Sequence, residues 1–203
     1  MTFPIVLAGL LAGFLHVLSG PDHLAAIAPY AVEGKAGAWR TGVRWGLGHA
    51  AGVLVVGLLA LLLREALPLE SLSGGAERCV GIVLMGIGFW GLRRAFALRS
   101  GGKLRPPHDH RHESFAVGTV HGLAGSSHLF GVLPALAIPS RTAAAAYLLV
   151  FGIGTIAAMG TYSSLIGWAS ARPRAASAQF QAALMAGCSA AAIILGAFWF
   201  FPN

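Results

Sequence analysis

The sequence predicts an all-α polytopic membrane protein, with about six transmembrane helices arranged as two inverted repeats of three helices each. Three observations predict this class: the composition, the spacing of the charges and an internal repeat. Of the 203 residues, 56% are hydrophobic and only 10% are charged, whereas about 25% of a typical soluble domain is charged. A chain with so few polar residues cannot form the surface of a water-soluble fold. In a membrane protein the positions of Lys and Arg report orientation, so the net charge of +7 does not indicate a nucleic-acid partner, and none is expected.

The first half of the chain contains three predicted helices, near residues 3–31, 43–63 and 78–98. No charge occurs in residues 1–21 or 45–63, and about 18 apolar residues suffice to cross a bilayer. The third helix has a shorter uncharged core, which Arg93 and Arg94 lengthen if their side chains reach the membrane surface.

The second half is expected to contain helices near residues 115–138, 142–169 and 178–201, each within a stretch that carries no charge. Between the halves, Gly-Gly and Pro-Pro pairs predict a flexible linker at residues 99–114. The chain is thus divided into residues 1–98, this linker and residues 115–203.

An internal repeat relates the two halves. The pattern H-x-L-x-G-x-x-H-L runs from His16 to Leu24 and again from His121 to Leu129, and the Gly-x-Gly before His49 recurs before Thr155. Because each half has three helices, the second half enters the membrane in the opposite sense, as in transporters built around a site at the membrane midplane.

Basic residues are distributed asymmetrically between alternate loops. Eleven of the 14 Lys and Arg residues fall on one predicted side and three on the other. Under the positive-inside rule, both termini are expected outside and the linker at 99–114 in the cytoplasm. Membrane lipid is the expected partner of these helices.

The histidines carry the chemistry that the sequence suggests. Five of the eight lie in predicted membrane segments, and Asp22 is the one acidic residue in an otherwise apolar region. A carboxylate at this depth costs about 2.5–3.5 kcal/mol or more, so it requires a partner. The candidate metal ligands are His16, Asp22, His23, His49, His121 and His128.

A straight helix would hold His16 and His23 about 10 Å apart along its axis, too far to share an ion. Gly20 and Pro21 are therefore expected to break the first helix, and Gly125 the corresponding helix of the second half. The tightest coordination is expected in the first half, with the second-half histidines completing the site or forming a second station. Imidazole and carboxylate ligands suit nickel, cobalt, zinc or copper(II).

Other interpretations of the same residues remain open. The membrane histidines could form hydrogen bonds between helices, and the linker histidines His108, His110 and His112 either collect metal or belong to a solvated loop. A redox carrier that binds haem or uses Cys79 and Cys188 is a further alternative, as is an accessory protein that delivers metal without transporting it.

The segment from His16 to Leu24 resembles the histidine and aspartate signature of the nickel/cobalt permease superfamily, and is most similar to its urease-accessory UreH-like and hydrogenase-associated members. The spacer between His16 and Asp22 has five residues, whereas the main permeases have four, and Val17 stands where the associated variant has proline. The resemblance implies nickel or cobalt as the transported substrate and the cell (inner) membrane as the location, while the ligand types also allow zinc. It also implies urease or hydrogenase maturation proteins as partners. No enzymatic activity and no organic cofactor are expected.

Overall fold

The computed structural model describes residues 3–34, 37–62, 69–100, 111–123, 128–172 and 178–201, and this part of the chain is all-helical. Eight helices follow one another: α1 (Phe3–Ser19), α2 (Pro21–Gly34), α3 (Ala38–Leu62), α4 (Leu69–Arg99), α5 (Arg111–Leu123), α6 (His128–Ala137), α7 (Arg141–Ala171) and α8 (Ala178–Phe200).

The first predicted helix, residues 3–31, is two helices, α1 and α2, which meet at Gly20 with a bend of 73°. The break lies at the predicted dipeptide, but the two residues have different roles. Gly20 separates the helices, whereas Pro21 is the first residue of α2. Proline is well tolerated there because the first helical N–H has no partner within the helix.

The region predicted as a helix at residues 115–138 contains two described helices. α5 ends at Leu123 and α6 begins at His128, while residues 124–127, including Gly125, lie outside the described residues. Helix α5 begins at Arg111, inside the segment predicted as a linker. Pro134 within α6 matches Pro29 within α2, 105 positions earlier, a further element of the repeat.

Three helical segments of the described chain are long and apolar enough to cross a membrane: Ala38–Leu62, Gly81–Arg99 and Arg141–Ala171. The bent pair of α1 and α2 meets the same criterion when it is counted as one span, which brings the number to four. Helix α8 adds a shorter apolar segment, Ala182–Phe198. The fold is therefore that of a helical membrane protein.

The helices pack in pairs that relate the two halves. Helix α3 packs on α7 and α4 packs on α8, while α1 packs on α7 and α5 packs on α3. The last two pairs correspond to each other, because each joins the first helix of one half to the second helix of the other. Helix α2 contacts α3, α7 and α8, and so connects the α4–α8 pair to the remaining helices.

Backbone contacts recur at the spacing of the sequence repeat. A Cβ atom on Gly13 of α1 would collide with the carbonyl group of Phe151, and one on Gly118 of α5 would collide with that of Trp45. Gly118 and Phe151 are the repeat counterparts of Gly13 and Trp45, at offsets of 105 and 106. The same glycine-to-carbonyl contact therefore recurs with the roles of the two segments exchanged.

One ion pair fixes the far end of α2. The Arg94 guanidinium of α4 donates two hydrogen bonds to Glu33 Oε1, from Nη2 at 2.6 Å and from Nε at 3.2 Å. Glu33 is buried, with 5% of its surface exposed. Next to it, the Ser170 hydroxyl of α7 donates to the Val32 carbonyl at 3.2 Å, so the end of α2 is held by two other helices.

A candidate metal centre

Three histidines from three helices meet in the interior. His16 lies near the end of α1, His23 near the start of α2, and His49 close to the middle of the 25-residue helix α3. Their exposed fractions are 7%, 1% and 0%. One ring nitrogen from each lies within 4.8 Å of the other two, so three of the four ligands predicted for the first half come together.

The spacing of the three rings suits a shared ion. An imidazole bound at about 2.1 Å has its ring centre about 3.2 Å from the metal, so tetrahedral ligands have ring centres about 5 Å apart. The His16 ring centre lies 4.7 Å from that of His23 and 5.5 Å from that of His49, and the remaining separation is 4.9 Å. Nitrogens bound to one tetrahedral ion would be about 3.4 Å apart, which is closer than the 4.8 Å within which the three nitrogens lie.

The break at Gly20 brings His16 and His23 together. The Gly20 N–H donates to the His16 carbonyl at 3.1 Å, and the Gly20 carbonyl accepts the His23 N–H at 3.1 Å. These bonds end one helix and begin the next around a single residue. A Cβ on Gly20 would collide with the His23 ring and approach the Asp22 carboxylate, so only glycine leaves both side chains in place.

Asp22 contacts His23 instead of joining the three-histidine group. Its Oδ1 atom accepts a hydrogen bond from His23 Nδ1 at 2.9 Å, with both residues buried. With the carboxylate ionised, the proton is assigned to Nδ1, which leaves the Nε2 lone pair for a ligand. Carboxylates commonly orient metal-binding imidazoles in this way. Asp22 also lies in the first turn of α2, where the helix dipole favours negative charge.

Trp45 forms one wall of the cluster and was missed by sequence reasoning. Its buried indole stacks on the His49 ring at 5.0 Å with an angle of 9°, and it contacts His23 at 5.5 Å and His121 at 5.4 Å. The available signal was its position four residues before His49, because residues at this spacing share a helix face. Its large apolar surface excludes water from one side of the histidines.

His121 approaches the cluster from α5, outside the group of three. Its ring centre lies 5.9 Å from that of His23, and 2% of the residue is exposed. His128 is the first residue of α6, and its side chain lies outside the described part of the chain. The counterpart of His49, Thr155, is buried and donates to the Phe151 carbonyl at 3.1 Å.

The linker histidines are separate from this cluster. His108 and His110 lie outside the described residues, and His112 is exposed near the start of α5.

No family model and no solved structure matches the chain. Two curated proteins of Arabidopsis thaliana share 42% identity with it. Chloroplast protein FOR GROWTH AND FERTILITY 1 aligns over 177 residues, which are 78% of this chain and 48% of that protein. Chloroplast protein FOR GROWTH AND FERTILITY 2 aligns over 171 residues, 78% and 46% of the respective chains. The chain thus spans about half the length of these two relatives.

A third similar protein is the urease accessory protein UreH of Bacillus sp. (strain TB-90). It is 27% identical over 186 residues, which cover 80% of this chain and 76% of UreH. Together with the apolar helices and the buried histidines, this similarity is compatible with a membrane protein of metal-related function.

Proposed function

We propose that the protein carries a divalent transition-metal cation across a membrane, with nickel or cobalt as the substrate and zinc as the alternative. The observation that carries this proposal is the meeting of His16, His23 and His49, three buried imidazoles contributed by three helices. In the proposed site, their nitrogens replace part of the water shell of the ion, and Asp22 orients the His23 ring.

A bound metal would explain a buried imidazole nitrogen that otherwise has no hydrogen-bond partner among the described residues. Most buried polar atoms in proteins have a hydrogen-bond partner, and leaving one without a partner costs about 1–3 kcal/mol. Within the described residues, His23 Nε2 is buried without such a partner. A bound cation would supply one, because the neutral imidazole nitrogen is a common ligand of nickel, cobalt and zinc.

The internal repeat supports transport. The reciprocal contacts of Gly13 and Gly118 support two halves related by a two-fold axis. Two halves of three helices each would together provide six spans, with the second half inserted in the opposite orientation to the first. The cluster lies where α1 gives way to α2 and beside the middle of α3, a candidate span. Broken helices around a site at the membrane midplane are the arrangement that secondary transporters use for alternating access.

The direction of insertion is part of the same proposal. The excess of basic residues on one predicted side supports a cytoplasmic linker and external termini. The cell membrane is the proposed location by resemblance, whereas the names of the Arabidopsis relatives favour the chloroplast. Fractionation of the native organism distinguishes the two.

A second candidate function, delivery of metal without transport, is favoured by the name of UreH, a urease accessory protein. It would use the same three histidines and would add a urease or hydrogenase maturation protein as partner. The two functions differ in whether the metal crosses the bilayer.

Uptake by proteoliposomes tests the proposal. The full chain is reconstituted, and influx of nickel, cobalt, zinc and manganese is compared for wild type, His23→Ala and His49→Ala. The control is His112→Ala, which removes an exposed histidine outside the cluster. Flux that the control retains and both cluster variants lose supports the permease. Binding without flux favours the delivery function, and failure to bind any of the ions overturns both.

A further inference from the structure

The imidazole of His121, like that of His23, has its Nδ1 atom hydrogen-bonded to an acceptor of the protein. Its Nδ1 atom donates to the Val117 carbonyl at 3.2 Å, which directs the lone pair to Nε2. That Nε2 atom is buried and has no hydrogen-bond partner among the described residues. Each ring therefore has one nitrogen held by the protein and one that remains for a ligand.

The two rings are spaced to share an ion. Their centres lie 5.9 Å apart, and two imidazoles on one metal have ring centres between about 5 Å for tetrahedral geometry and about 6.4 Å for opposed ligands. The Trp45 indole contacts both rings and shields the gap from one side.

The pseudo-two-fold relation makes His121 the counterpart of His16. The His16 ring packs against Phe151 with centres 5.4 Å apart, and the His121 ring packs against Trp45 at the same 5.4 Å. Phe151 and Trp45 are themselves counterparts in the repeat. The His23 ring contacts both histidines, with its centre 4.7 Å from that of His16 and 5.9 Å from that of His121.

We propose that His23 and His121 form a second metal station, which takes over the ion from the site formed by His16, His23 and His49. Because Asp22 occupies His23 Nδ1, only Nε2 of this ring binds metal. One nitrogen serves one ion, so the two stations are occupied in turn and never together. The ion moves by exchanging the His16 and His49 ligands for His121. This inference rests on the proposed function.

Separate measurements of binding and flux test the transfer of the ion from the three-histidine site to the second station. Purified full-length wild type, His121→Ala, His49→Ala and the control His112→Ala are titrated with Co²⁺ by calorimetry, and each is then assayed for Co²⁺ flux in proteoliposomes. We expect a single Co²⁺ per chain in the wild type. We expect His121→Ala to keep this binding with unchanged affinity and to lose at least about tenfold in flux. His49→Ala should lose both.

Three results would overturn the second station. They are wild-type flux in His121→Ala, a loss of affinity in His121→Ala equal to that in His49→Ala, and two ions bound at once by the wild type. Circular dichroism and gel filtration verify folding, and His121→Asn supplies a second variant that retains a side-chain donor for the Val117 carbonyl. If the wild type binds and transports Co²⁺ but His121 is dispensable, only the second station fails. If the wild type does not bind, the proposed function fails.

Discussion

Replacement of Asp22 by asparagine distinguishes an orienting residue from a direct ligand. In the structure, its Oδ1 atom accepts the His23 Nδ1 proton at 2.9 Å, and the three-nitrogen group does not include it. Asparagine keeps the shape and an acceptor oxygen but loses the charge. A hydrogen bond to a charged group contributes about 1.5–3 kcal/mol and a neutral one about 0.5–1.5 kcal/mol.

The difference, about 1–1.5 kcal/mol, corresponds to a roughly tenfold weaker affinity, because each tenfold step is about 1.4 kcal/mol. This prediction lies within the range of about 10–100-fold that is typical for residues that orient metal ligands. The assay is calorimetric titration of Asp22→Asn with Co²⁺ in detergent. Glu113→Gln, at an exposed carboxylate of α5, is the matched control and should bind as the wild type does.

Two results would refute this reasoning. Complete loss of binding in Asp22→Asn, equal to that in His49→Ala, would make the carboxylate a direct ligand. Unchanged affinity would mean that the hydrogen bond to His23 does not orient the ring for metal.

Three further predictions concern helix packing, the ion pair and pH. Gly118→Ala should lower the free energy of unfolding by about 1–3 kcal/mol, because the new Cβ atom would lie 2.9 Å from the Trp45 carbonyl carbon. The control Gly86→Ala, whose Cβ atom would have no neighbour within 4 Å, should leave stability unchanged. Thermal melts in detergent compare the two variants. Arg94→Gln should lower Tm by removing an ion-pair partner of buried Glu33, and adding Glu33→Gln should recover part of the loss. Acidification should weaken Co²⁺ binding, because only neutral imidazole binds metal; equal affinity at pH 5 and pH 7.5 would contradict this.

Local sequence signals were sufficient to predict the break in the first helix. Gly20 and Pro21 act on the backbone at their own positions, so the end of α1 and the start of α2 follow from short-range chemistry. The meeting of His16 and His23 follows from that break. The start of α5 at Arg111 was not predicted, because the Gly-Gly and Pro-Pro pairs that suggested a linker lie before it and the charges that follow are compatible with a helix end.

Contacts between helices depend on packing, which the periodicity of a single helix does not determine. The sequence placed His49 in a membrane segment but could not specify that α3 turns this residue toward His16. The contact between Asp22 and His23 depends on side-chain rotamers next to the break, so Asp22 was expected to bind metal directly. Trp45 offered no signal beyond its spacing of four residues from His49, and its contacts with His23 and His121 depend on how α2 and α5 pack on α3.

The absorption spectrum of bound Co²⁺ tests the central claim most directly. Titration of the purified chain should produce the intense visible bands of a nitrogen-ligated, four-coordinate ion and reach saturation. The same bands should be absent in His49→Ala, which removes one of the three ligands, and present in His112→Ala. A wild-type spectrum that stays at the weak bands of aqueous Co²⁺, or one that His49→Ala leaves unchanged, would contradict a metal centre at the three histidines.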